Sequence, residues 1–107
     1  MLLIGWTTVA DRVAAERLAQ GLVETGLAVC VQIDGPITSV YRWHNKVETA
    51  AEFRLAIKFL PAQAIELESW LKTHHSYEIP EWVVVRAEIV AEKYLSWAQA
   101  SSSTPPL

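Results

Sequence analysis

A single cysteine, Cys30, stands in the 107 residues, which excludes an internal disulfide. That usage favours a reducing compartment. Positive charge is not in surplus either. Nine Lys and Arg face twelve Asp and Glu, the isoelectric point is near 5.5, and no basic surface for nucleic acid is expected. Apolar runs such as Trp82–Val85 fall far short of the ~20 residues that a membrane helix needs, so no membrane partner is expected. No basic, then apolar, then small-residue segment opens the sequence, which predicts a cytoplasmic protein without a secretory leader. Glycine is scarce at four residues, and Gly21 and Gly26 lack phosphate-loop spacing. With no nucleophile motif and no dinucleotide fingerprint, no enzymatic activity is indicated.

What is present is a globular composition: 51% hydrophobic and 20% charged, enough for one modest core. Five Trp are many for so small a domain and favour an interface. Residues 1–99 read as one domain and 100–107, rich in Ser and Pro, as a flexible tail.

Leu2–Val9 is a continuous apolar strand. Thr8, with Asp11 three residues on, offers a helix start, and Ala14, Leu18 and Leu22 repeat at helical spacing until Gly26. A second strand runs from Ala28 to Ile33, is interrupted at Gly35-Pro36 by a bulge or an edge, and resumes over Ile37–Trp43. His44-Asn45 sits at a turn. From Val47 to Phe59 apolar and polar residues alternate, a strand longer than one small domain needs and a natural arm for a neighbouring subunit. Pro61 opens a second helix whose stripe is Ala64, Leu67, Leu71 and His74. A fourth strand spans Trp82–Val90, and a short helix holds Tyr94, Leu95, Trp97 and Ala98. The fold class is therefore α+β: a ferredoxin-like βαββαβ plan with a long β-hairpin and a short C-terminal helix, and with one sheet face left for an oligomer to cover.

The densest chemistry lies in His74-His75-Ser76-Tyr77-Glu78-Ile79-Pro80-Glu81. Two imidazoles suit Cu or Zn if the helix ends at His74 and both rings converge. Otherwise His74 is a core-edge residue and His75 a charge partner of the helix C-terminus. Cys30, between valines, reads as a small buried hydrophobe or as a reactive thiol. Glu48, Glu52 and Lys58 share a strand face, which pairs with Arg42 in solvent or lines an intersubunit cleft with the histidines. Tyr41 and Trp43 share a face as well, as a packing surface or a ligand cage.

Ala28-Val29-Cys30-Val31, Ser39 through Glu48 with Glu52, Lys58, the His74–Glu81 segment and Tyr94-Leu95-Ser96-Trp97 together resemble the CutA family of divalent-cation tolerance proteins, over about residues 1–99. The resemblance implies a tight, cytoplasmic homotrimer built like the PII signalling proteins, with hairpins pairing between subunits, and a possible bound copper or other divalent cation. It places Cys30 at the family's strand cysteine, Tyr41 and Trp43 at its aromatic pair, and Glu48 and Glu52 at its hairpin acids. Lys58 falls at its strand lysine, and His75, Tyr77, Pro80 and Glu81 at its His-Pro-Tyr-x-x-Pro-Glu motif. Three positions depart from the pattern. Ser76 replaces proline, Asn45 replaces the turn glycine, and Thr7 stands where some members carry a cysteine proposed as a copper ligand, which removes a soft thiolate.

Three functions follow as expectations. The first is a trimeric metal protein ligating through His74 and His75, with Glu52 or Glu81 from a neighbour. The second is a PII-like sensor holding a small anion by Lys58, Arg42, Tyr77 and Trp43. The third, with the least behind it, is a cleft enzyme using Tyr77, His75, Glu81 and Lys58.

Overall fold

A computed structural model describes residues 1–102. The element order is β1 (Leu2–Val9), α1 (Arg12–Glu24), β2 (Cys30–Trp43), β3 (Lys46–Phe59), a 3-10 turn over Pro61–Gln63, α2 (Ala64–His74), β4 (Val83–Ala87) and α3 (Glu92–Ser101). The antiparallel sheet has the order β2-β3-β1-β4. β1 and β2 both run antiparallel to β3, which lies between them. This is the expected split βαβ plan.

Local chemistry explains the boundaries. Asp11, not Thr8, caps α1: its Oδ1 accepts from the Ala14 N–H at 2.8 Å. Ala15, rather than Ala14, joins Leu18 and Leu22 in the core. Gly26, at φ 76°, follows the last turn in the left-handed conformation that glycine adopts without strain. His44 and Asn45, at φ 48° and 63°, form the two-residue turn that matches the strand twist. α2 is preceded by a 3-10 turn because Pro61 sets its first dihedral but cannot donate. β4 is shorter than the expected Trp82–Val90, since β1 offers partners only for Val83–Ala87. α3 runs to Ser101, past the expected domain boundary at 99. Of the expected tail, residues 103–107 lie outside the described residues.

The core lies between the sheet and the pair α1 and α2. Val9, Leu55, Ile57 and Phe59 meet Ala15, Leu18, Leu22, Leu67 and Leu71. α3 closes a second cluster, Ala98 on Leu2 and Val29. Strand alternation puts Leu2 on the sheet face opposite the main core. Trp82 lies over Gly5, where an added Cβ would come 2.3 Å from the indole. Gly5→Ala is therefore expected to displace Trp82 and to cost about 1–3 kcal/mol, read as a lowered denaturant midpoint. An unchanged midpoint would show that the indole moves freely.

Two features place the site. β1 pairs with β3 only back to Phe53, so Ile37–Trp43 and Lys46–Glu52 continue as a two-stranded ribbon beyond the sheet. The molecule is accordingly elongated, 45 × 31 × 21 Å. The second feature is the bulge at Gly35-Pro36. Asp34 pairs with Arg54 but Ile37 pairs with Glu52, one extra residue on β2. The extra residue reverses the parity of β2. Cys30, Gln32 and Asp34 share a face with Lys58, Ala56 and Arg54, and beyond the bulge Ser39, Tyr41 and Trp43 move onto that same face, with Ala50, Glu48 and Lys46. Arg42 consequently pairs with Val47 and lies on the face away from Glu48, contrary to the expected Arg42 pairing.

Candidate functional site

α2 ends at His74, and His75 is extended, at φ −77° and ψ 139°. That change of geometry sends the two adjacent imidazoles in different directions. His74 is exposed, stacks on Trp70 with ring centroids 3.9 Å apart, and donates from Nδ1 to the Trp70 carbonyl at 2.8 Å. His75 is buried, 8% exposed. Its Nδ1 accepts from the Tyr77 N–H at 3.0 Å. A backbone N–H can only donate, so the ring proton sits on Nε2, 2.9 Å from the Thr8 carbonyl and 3.1 Å from Thr7 Oγ1. The expected roles are thus exchanged: His75 is the interior group and His74 the partner of the helix end. The rings do not converge on one ion, and both His75 nitrogens are engaged. No cluster of three or more His, Cys, Asp or Glu side chains fit to hold a metal occurs among the described residues.

Burial lowers the His75 pKa from 6.5, outweighing the Thr8 carbonyl and the Glu52 charge, which both raise it. The ring is therefore a neutral clamp fastening the segment after α2 to the end of β1.

Tyr77 carries this anchoring to the ribbon. Its hydroxyl donates to Glu52 Oε2 at 2.7 Å. Burial first, and then the hydrogen bond and charge of Glu52, raise its pKa well above 10, so the phenol stays protonated. Glu52 itself is only 8% exposed although it lies on β3 beyond the end of β1. The Tyr77 segment covers it there.

A groove of about 750 Å³ opens beside this pair. The ribbon contributes Ser39, Tyr41, Trp43 and Glu52, β1 contributes Thr8, and the segment after α2 contributes Tyr77, Glu78 and Glu81. Among the described residues no Lys, Arg or His lines it. Tyr41, Trp43, Glu52, Tyr77 and Glu81 of the expected cleft are therefore brought together. Glu48 faces Tyr41 across the ribbon but lies outside the groove wall. Cys30 and Lys58 pair with each other at the far end of the hairpin, where Lys58 Nζ is 3.3 Å from the Tyr94 hydroxyl of α3. Ser39 is not among the candidates the sequence offers, and Thr7 and Thr8, which the sequence offers as a lost-thiolate position and a helix start, anchor His75 instead. A bulge that reverses strand parity is the signal that points to Ser39.

The family model described as CutA1 divalent ion tolerance protein matches residues 3–101. The chain belongs to this family. The Divalent-cation tolerance protein CutA of Pectobacterium atrosepticum is 36% identical over 94 residues, covering 88% of this chain and 86% of that one. Protein CutA, chloroplastic, of Arabidopsis thaliana is 33% identical over 94% of this chain, which spans only 55% of that relative. The solved structure of CutA from Synechococcus elongatus superposes with a TM-score of 0.92 at 37% identity, covering 95% of this chain and 90% of that one. No helix among the described residues is long and apolar enough to cross a membrane.

Proposed function

We propose that this CutA-family chain acts in divalent-cation tolerance as a homotrimer, and that copper or another divalent ion is held by side chains of more than one subunit. The observation that carries the assembly is the ribbon. Val40 and Val47, 65% and 67% exposed, share one ribbon face, and among the described residues 46–52 of β3 have β2 alone for a partner. An apolar two-stranded arm with open backbone groups is a surface that a second copy completes. The edge strand β4 adds Val83, Val84 and Val85, all exposed. Because the two imidazoles diverge within one chain and both His75 nitrogens are engaged, an ion would need donors from a second subunit. The alternative, a small anion held by Lys58 and Arg42, draws no support from the groove, whose wall contains neither side chain.

Light scattering should give about 36 kDa, three times the 12.0 kDa chain, and Val47→Lys should shift the mass toward the monomer. Titration calorimetry of the trimer with Cu(II) and Zn(II) should show saturable binding. A monomer of wild-type mass would remove the assembly, and heats no larger than dilution would remove the metal.

A further inference from the structure

We infer that the groove between the hairpin ribbon and the Tyr77 segment binds an organic cation carrying alkylammonium groups. Glu52 is buried, yet no Lys, Arg or His nitrogen lies within 4 Å of its carboxylate among the described residues. Its one hydrogen bond there is the neutral Tyr77 hydroxyl on Oε2, and Oε1 has none. Glu52 Oε1 therefore keeps its accepting capacity for a cation in the groove. Glu78 and Glu81 add two more acids to the same wall, and no basic side chain opposes them.

The aromatic side chains select the kind of cation. Tyr41 and Trp43 are 44% and 43% exposed and, through the bulge, lie on the same ribbon face as Glu52. Aromatic faces attract weakly hydrated ammonium groups, and beside a carboxylate the two attractions add. A volume of about 750 Å³ is far larger than a bare metal ion and matches an organic ligand. Among the described residues the groove also lacks three converging metal-ligating side chains. The walls named here belong to one chain and the reading needs no metal, but the ribbon that supplies Tyr41 and Trp43 is also the arm proposed to meet a second copy, so the test is made on the native assembly.

The test uses putrescine and, as a neutral probe of equal length, 1,4-butanediol, added to the full chain in its native assembly. Binding is read by calorimetry and by the NMR shift of the Trp43 indole N–H, assigned with Trp43→Leu. Putrescine should bind saturably and move that signal. Glu81→Gln and Trp43→Leu, both at exposed positions, should each weaken binding at least tenfold, and Glu52→Gln, which can still accept from Tyr77, should do the same. Lys58→Gln, at the far end of the hairpin, should leave affinity unchanged. Equal binding of butanediol overturns the inference, as does an unmoved Trp43 signal. Displacement of putrescine by equimolar Mg²⁺, with Trp43→Leu unaffected, would make the groove a nonspecific acidic surface and equally overturn it. Light scattering on the same samples reports the trimer separately.

Discussion

His75→Ala is expected to destabilise the protein by about 3 kcal/mol and to flatten its pH dependence between pH 7.5 and 5.5. The cost arises because three groups lose a partner at once: the Thr8 carbonyl, Thr7 Oγ1 and the Tyr77 N–H. Each buried group left unsatisfied costs about 1–3 kcal/mol, reduced where water enters the space left. The pH effect follows from the lowered native pKa. The unfolded imidazole takes up its proton near pH 6.5, the folded one only at lower pH. Below 6.5 the unfolded chain therefore binds more protons, and stability falls as pH drops from 6.5 toward the native value. Above neutrality the contribution is complete. Protonation would also turn Nδ1 into a donor facing the Tyr77 N–H, loosening the segment that holds Tyr77 on Glu52. Denaturant midpoints of both proteins, at both pH values and one protein concentration, check this. A wild-type midpoint that does not move would dispose of the clamp.

Phe59→Ala is expected to cost about 3–5 kcal/mol. The ring is 1% exposed at the base of β3 and stacks on Trp82 at 5.9 Å and 26°. Trp82 is itself held over Gly5, so the indole cannot collapse into the vacated space without leaving β1. The resulting cavity forfeits contacts on both sides of the core. Val13→Ala, 63% exposed on α1, should change stability by less than about 0.5 kcal/mol. Parallel denaturant titrations compare the two, and equal midpoints would mean that Phe59 is not central to the core.

Much of the frame is legible along the chain because it depends on neighbours in sequence. The alternation of Val47–Phe59 reads as a strand, Gly26 as a helix stop and Asn45 as a hairpin turn, since each reflects a local dihedral preference. The excess length of the hairpin is visible in the same way. Threonine and aspartate oxygens both suit the cap of α1, and only the path of the chain aims that of Asp11, not Thr8, at the Ala14 N–H. The histidines were harder. At helical spacing His74 continues the stripe of Leu67 and Leu71, yet the helix stops there and the next residue turns inward.

The residue types of the groove, its acids and aromatic rings, are written in the sequence, as is the order of elements that carries them. Which of them meet was decided only in three dimensions. One additional residue at Gly35-Pro36 swings Tyr41 and Trp43 onto the side of Glu52, and the end of β1 leaves the gap into which Tyr77 descends. The same register carries Lys58 and Cys30 away to α3. Strand pairing is a long-range relation: a shift of one residue exchanges faces without altering any local preference, so the chain's own pattern leaves it open and packing closes it.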